Sequence, residues 1–318
     1  MISSKILLEN QRKVTRRMLN GILNLDKPRG MTSHDAVAAV RRIIGIRAVG
    51  HTGTLDPEAS GILVLCLGSA TKFARFFETL EKTYWTVIQL GLCTDTQDAT
   101  GTVTRQCEVP PFTHAQLRNV LDRFQGPLQQ IPPMYSAVKY RGQRLYHLAR
   151  QGQTVVRQAR AIFVRHLELL EQRGTQLTLS ITCSKGTYIR ALSEDIGLTL
   201  GCGAHVVRLQ RCRVGSFSLP GACSLDALRQ YVHAGALSQV VIPVTEALSF
   251  LPSLTLTSQQ YNDLRTQQGR VVSTILDTMQ PLSQHASCYR LCVQSQRTVA
   301  VIQRQLSPSE KWKLYVTL

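Results

Sequence analysis

Between residues 50 and 67 the chain changes character within a few positions. Gly50-His51-Thr52-Gly53-Thr54-Leu55-Asp56-Pro57 holds two glycines and a proline, and shortly afterwards Ile62 to Leu67 runs without a polar side chain. Glycine and proline punctuate structure most strongly, so the first stretch is a loop. The second is the longest apolar run in the chain. Its length suits a buried strand and falls far below the roughly 20 residues that span a bilayer. A loop held by such a scaffold is a common carrier of chemistry.

Signals of both secondary-structure types surround this segment. Gly21 to Leu25 reads as a short strand ended by the turn Asp26-Lys27-Pro28-Arg29-Gly30. Thr32 and Asp35 stand in capping-box spacing, and Val37, Val40 and Ile44 then recur along one helical face. A second capping box, Thr113 and Gln116, opens a helix with Leu117, Val120, Leu121 and Phe124 on one face and Gly126 as its stop. Strands are expected at Thr83 to Leu90, Met134 to Lys139, Thr154 to Leu170, Gln176 to Cys183 and Ala204 to Cys212. A polar turn is expected at Thr94 to Gly101 and a helix from about Tyr188 to Leu200. Mostly adjacent strands with inserted helices favour an α+β fold over a regular βαβ repeat. Near Ser249 the character changes. Strand-like runs at Val271 to Leu276, Tyr289 to Val293 and Val299 to Ile302 suggest a small module over residues 250–318, near the lower end of what folds alone.

Charge narrows the partner. Thirty-seven Lys and Arg stand against twenty Asp and Glu, a net +17 over 318 residues, which favours a polyanion. From Arg123 to Leu167 there is no acidic residue, while Lys139, Arg141, Arg144, Arg150, Arg157, Arg160 and Arg165 accumulate among Tyr135, Tyr140 and Tyr146. Such a run is either a solvated face or an RNA-binding surface, and its lack of countercharge favours the RNA reading. Pro132 and Pro133 suggest an inserted, semi-rigid segment there. Nine cysteines without paired CxxC spacing argue against a disulfide framework and a zinc site, so no metal and a reducing cytoplasmic compartment are expected. Residues 1–19 carry Lys5, Arg12, Lys13, Arg16 and Arg17 and read as a basic, flexible tail. Glu9 and the lack of an amphipathic stripe count against an organellar transit peptide.

Taken singly, the polar residues are ambiguous. An Asp before a proline, such as Asp56, is ordinarily a turn residue bonding its own backbone. Here His51, two glycines and small hydroxyls crowd the same loop of a basic protein, which shifts the balance toward a functional role while turn chemistry stays the better reading of the residue alone. Arg190 reads equally as a surface arginine near a helix end, Tyr84 and Tyr188 as core filler with their hydroxyls at the rim, and His51 as a backbone-satisfied loop histidine. Asp98 reads as a turn former.

Several separated motifs bear on these alternatives together, although Asp98 stays equally readable as a turn former. Gly21-Ile-Leu-Asn-Leu-Asp-Lys-Pro-Arg-Gly-Met-Thr-Ser-His-Asp35, Val49-Gly-His-Thr-Gly-Thr-Leu-Asp-Pro57, Lys82-Thr-Tyr84 and Ser184-Lys-Gly-Thr-Tyr-Ile-Arg190 occur in the order found in the bacterial TruB family of pseudouridine synthases. Gly203-Ala-His-Val-Val-Arg-Leu209 and Arg213-Val-Gly-Ser-Phe-Ser-Leu219 also resemble that family, and the likeness runs from about residue 20 to 250. Glu58 and Ser60 stand where Leu and Thr are more usual in the family.

The resemblance implies the pseudouridine synthase fold, a curved mixed sheet with flanking helices over residues 20–249. An RNA-binding insertion would occupy about 127–165, and a PUA-like β module 250–318. It implies a monomer that converts the T-loop uridine of tRNA, position 55 in tRNA convention, to pseudouridine, engaging the T-arm stem-loop and using neither cofactor nor membrane. Asp56 would be the catalytic carboxylate and Arg190 the cation that stabilises its charge. Tyr84 would stack on the uracil, Tyr188 and Leu209 would line the pocket, His51 would fill the place of the flipped base, and Lys27 and Asp98 would support the pocket. Two further readings follow from the same residues: an RNA-folding factor that uses the cleft without catalysis, and a guide-RNA-dependent synthase sharing the Asp loop.

Overall fold

A computed structural model of the chain describes residues 19–267, 288–293, 297–304 and 312–317. In chain order its strands begin with β1 (Gly21–Lys27), β2 (Val49–His51), β3 (Ser60–Leu67), β4 (Lys82–Leu90), β5 (Leu92–Thr94) and β6 (Val103–Gln106). There follow β7 (Gly126–Gln130), β8 (Lys139–Tyr140), β9 (Gln143–Arg144), β10 (Arg160–Arg173), β11 (Gln176–Cys183) and β12 (Ala204–Val214). The last are β13 (Phe217–Ser218), β14 (Val241–Ile242), β15 (Ser253–Thr255), β16 (Cys288–Val293), β17 (Arg297–Arg304) and β18 (Trp312–Thr317).

One large sheet runs β14-β1-β3-β12-β4-β11-β10-β7, with β2 paired to β3 and β13 to β12. Its pairings are antiparallel except at the centre. There β3 and β12 run parallel through Ser60 opposite Gln210 and Gly61 opposite Arg211. The sheet is therefore mixed, in an α+β molecule.

The burial of each strand follows from its pattern. β3 is apolar throughout because both faces are covered. Leu63, Leu65 and Leu67 pack toward the Ser33–Ile44 helix, and Ile62, Val64 and Cys66 pack against Phe73, Phe76 and Phe77. β4 alternates, burying Lys82, Tyr84, Thr86, Ile88 and Leu90. Its apolar side joins β10, β11, β12 and the His114–Asp122 and Ile189–Thr199 helices in a separate core.

Both expected capping boxes form. Thr32 and Asp35 bond reciprocally at the start of the Ser33–Ile44 helix, and Thr113 and Gln116 do the same before His114. Gly126 opens β7 rather than ending that second helix, which stops at Asp122.

Two expected strands differ. Residues 134–137 form bends rather than a strand, which starts only at Lys139. Pro132 and Pro133 supply no N–H for a ladder, the Ser136 N–H closes on the Met134 carbonyl at 2.9 Å, and the Tyr135 carbonyl accepts from Arg190. The long strand begins at Arg160 instead of Thr154, where β7 becomes available to pair with it.

A second sheet, β15-β16-β17-β18, follows residue 249 and has its own core of Leu256, Leu264, Tyr289, Leu291, Ala300 and Ile302. It is seated on the rest of the chain. Arg290 donates to the carbonyls of Leu251 and Thr245, Phe250 meets Phe77 edge-on, and Arg75 stacks over Tyr315 with 3.5 Å from Cζ to the ring centroid. The expected tail up to residue 18 and the run Val271 to Leu276 lie outside the described residues. Among those described, no helix is long and apolar enough to cross a membrane, no disulfide forms, and no His, Cys, Asp and Glu cluster is arranged to hold a metal ion.

Candidate active site

The loop carrying Asp56 is gripped from several sides. It leaves β2 at His51 and rejoins the sheet at Ser60. Between those points the Thr52 N–H donates to the Val64 carbonyl at 3.1 Å, and the Ala59 N–H closes a turn onto the Asp56 carbonyl at 3.1 Å. Ser33, buried at the start of its helix, holds Leu55 through both backbone groups. Its hydroxyl accepts from the Leu55 N–H at 2.8 Å and donates to the Leu55 carbonyl at 3.1 Å. The Gly30 N–H and the Lys27 ammonium both reach the Pro57 carbonyl, at 2.9 and 3.3 Å.

Arg190 closes over this loop from the second residue of its helix. Nη2 donates to Asp56 Oδ1 at 3.2 Å, and Nε lies 2.8 Å from Oδ2 as an ion-pair contact without hydrogen-bond alignment. The remaining donors reach the Thr96 carbonyl at 2.7 Å and the Tyr135 carbonyl at 2.9 Å. The arginine side chain is 5% exposed and the carboxylate 36%. A fully anchored cation therefore faces an anion that a ligand can still reach.

Asp98 holds its turn and also lies near Arg190. Its Oδ1 accepts from the Thr96 hydroxyl and the Thr100 N–H, holding the 94–101 turn, while Oδ2 lies 3.9 Å from Arg190 Nη1. Leu209 lines one cleft with Asp56, Asp98 and Arg190, and Arg29 and Glu58 form its rim through an ion pair of 2.6 Å.

The two tyrosines do not line that cleft, although the charge of Asp56 reaches both. Tyr84 is 9% exposed in β4, flanked in register by Ile181 on β11 and Arg211 on β12. Burial pushes its phenol above the ordinary range, and the charge of Asp56 adds to that shift. Tyr188 immediately precedes the Arg190 helix and is fixed by buried Gln130, which bonds both its backbone N–H and its carbonyl. Its phenol is likewise raised, chiefly by burial, and Asp56 again contributes. His51 stands apart from the cleft on β2, opposite Leu65, with its ring edge toward exposed His34 at 5.7 Å between centroids. Its burial lowers the imidazole below the usual value.

Lys27 is wholly buried, and its ammonium donates to the carbonyls of Pro28, Met31 and Pro57. Burial brings it down to about 8, with the charge of Asp56 working in the opposite direction.

Residues 41–189 match the family model described as TruB family pseudouridylate synthase, N-terminal domain, and residues 190–249 match that of the tRNA pseudouridylate synthase B C-terminal domain. Over 249 residues the chain is 47% identical to tRNA pseudouridine synthase B of Pseudomonas putida, covering 77% of this chain and 81% of that protein. The chain belongs to the TruB family of tRNA pseudouridine synthases. A TruB-family protein of Nitrosococcus oceani, also described as tRNA pseudouridine synthase B, is 41% identical over 82% of this chain and 86% of its own. Among solved structures, the fold is similar to that in a Cbf5-Nop10-Gar1 complex, with a TM-score of 0.69 at 23% identity over 96% of this chain and 87% of that one. The archaeal box H/ACA Nop10-Cbf5 complex gives 0.68 at 22% identity over 96% and 88%.

In this TruB-family chain the geometry also places Ser33, Gln130 and Arg211 around the site, none of which stood out in the sequence. Each acts through a partner far along the chain, so no local spacing marks it.

Proposed function

We propose that this enzyme isomerises the T-loop uridine of tRNA, position 55 in tRNA convention, with Asp56 as the reacting carboxylate and without a cofactor. The observation that carries the reading is the pairing of a partly open Asp56 with a buried Arg190 from the other half of the catalytic region. In the reaction the N1–C1′ bond breaks, the uracil turns, and C5 joins C1′ while its proton passes to solvent and N1 takes one up. No atom is gained and no electron is transferred to an acceptor, so the chemistry calls for none of the usual carriers. An ionised carboxylate serves each route, whether it attacks C1′, adds to C6 or removes the C2′ proton.

The target base must leave its stack to reach this cleft, at a cost of a few kcal/mol. Stacking on an aromatic ring returns roughly 1–3 kcal/mol per base, the part assigned to Tyr84, with Tyr188 and Leu209 as further walls. His51, on the neighbouring β2, would take the vacated place in the RNA, and Lys27 and Asp98 would hold Asp56 and Arg190 in position. The exposed, acid-free segment around Lys139 to Arg165 would follow the T-arm backbone, and the module from residue 250 would meet the acceptor end. A cytoplasmic monomer acting on naked tRNA fits this reading.

The test is to incubate unmodified tRNA, and the isolated T-arm stem-loop, with wild-type and Asp56→Asn protein and to map carbodiimide adducts by primer extension. A new stop at the T-loop uridine with wild type and none with the variant is expected. No stop with wild type, or an equal stop with the variant, overturns the proposal.

A further inference from the structure

Arg211 is a charged side chain buried to 3% exposure that donates to three carbonyls and also bonds the phenol of Tyr84. Nε donates to Ile62 at 2.7 Å, Nη1 to Thr54 at 3.3 Å and Nη2 to Gly53 at 3.0 Å. Burying a guanidinium is costly unless its donors are met, and here they are shared among one residue of β3, two residues of the Asp56 loop and the Tyr84 phenol.

Its position explains the choice. Arg211 sits at the parallel junction of β3 and β12, opposite Gly61 on one side and Tyr84 on the other. Gly61 has a φ of 99°, and a side chain there would run into the Arg211 carbonyl, so the glycine lets the two backbones close. From this point the planar fork of a guanidinium can span β3 and the loop at once, fixing the angle between them. A lysine, with a point charge, cannot. The loop is thus held before Asp56 by Arg211 and after it by Lys27.

We propose that Arg211 is a positioning residue for the isomerisation, setting how the Asp56 loop approaches the strand that carries Tyr84. The proposal rests on the reading of Asp56 given above. The charge of Arg211 acts on the same neighbours, since it opposes the effect of burial on Tyr84 and lowers Lys27 and His51 further.

The experiment compares Arg211→Met and Arg211→Lys with wild type in single-turnover modification of tRNA, tRNA binding and thermal melting. Displacing a reacting group by about 1 Å costs on the order of 10²-fold in rate. That loss is expected in the rate of both variants at saturating tRNA, with the tRNA dissociation constant unchanged and with the loss persisting at temperatures well below either melting point. Arg211→Lys, which keeps charge but not the fork, should recover only a small part of it. A wild-type rate in a folded Arg211→Met protein overturns the proposal. So does a defect confined to tRNA affinity, a rate loss that vanishes on cooling, or failure of both variants to fold, which would assign Arg211 to the core. Asp56→Asn assayed alongside separates the two claims: full activity there removes the Asp56 reading itself, whereas full activity in Arg211→Met removes only this one.

Discussion

At the scale of single residues, the site sets the carboxylates of Asp56 and Asp98 beside Arg190, a cation that is also anchored to backbone carbonyls. Arg190 spends donors on the carbonyls of Thr96 and Tyr135 as well as on Asp56, so it is held in place whether or not a substrate is present. Arg190→Lys keeps the charge and loses the fork, and a fall of roughly 10²-fold in modification rate is expected, read in the same primer-extension assay. Arg190→Met should in addition destabilise the fold by about 2 kcal/mol, because two carbonyls lose a buried donor, and urea unfolding would register it.

Lys27 makes an opposing pair of pH predictions. Its folded value of about 8 lies below the 10.5 of the free side chain, so between those limits the unfolded chain binds more protons than the fold. This group therefore makes stability rise with pH across that window. Function runs the other way, since a neutral amine offers two N–H donors to three carbonyls and loosens the Pro57 end of the loop. Single-turnover rates should fall above about pH 8 in wild type, and Lys27→Met should be slower at every pH with that alkaline fall flattened. An alkaline fall as steep in the variant as in wild type would reject this role for the lysine.

At the scale of elements, the starts of helices serve as mounts. The Ser33–Ile44 helix is placed by the Thr32–Asp35 capping box, and its first residue is the serine that clamps Leu55. Ser33→Ala leaves the buried Leu55 backbone without its partner, a loss of about 1–3 kcal/mol expected in urea titration, together with a slower reaction from a looser loop. A variant with unchanged midpoint and unchanged rate would show the clamp to be dispensable.

Much of this scale was legible in the sequence, because capping spacing, the apolar run of β3 and the alternation of β4 are all local signals. What was not legible depended on distant competition. Residues 134–138 have strand-like composition, yet the Tyr135 carbonyl is taken by Arg190, whose helix lies more than fifty positions later. The contacts of Ser33, Gln130 and Arg211 were hidden for the same reason, since each is made with a residue distant in sequence. Asp56, Arg190, Tyr84 and Tyr188 were found through family resemblance, their individual residue types being ambiguous.

At the scale of the whole molecule, a net +17 is distributed unevenly. Lys139, Arg141 and Arg144 are exposed, and no acidic side chain among the described residues forms an ion pair with them. Their counterions would be displaced by RNA. Replacing all three with Gln should reduce the slope of log affinity against log salt by about 2, a shift measurable by filter binding at several salt concentrations. A slope equal to that of wild type would place the RNA elsewhere on the molecule.

The parallel contact between β3 and β12 also sets a timetable. Asp56 leaves the ribosome long before Arg190 and Arg211, and at about 5–20 residues per second the wait is of the order of 10–30 s. Late in that interval, once residue 165 has followed, a nascent chain displays its basic stretch but has no assembled cleft. The sheet can be completed at its centre only after residue 211 has emerged, so the Asp56 loop gains its last anchor late in synthesis.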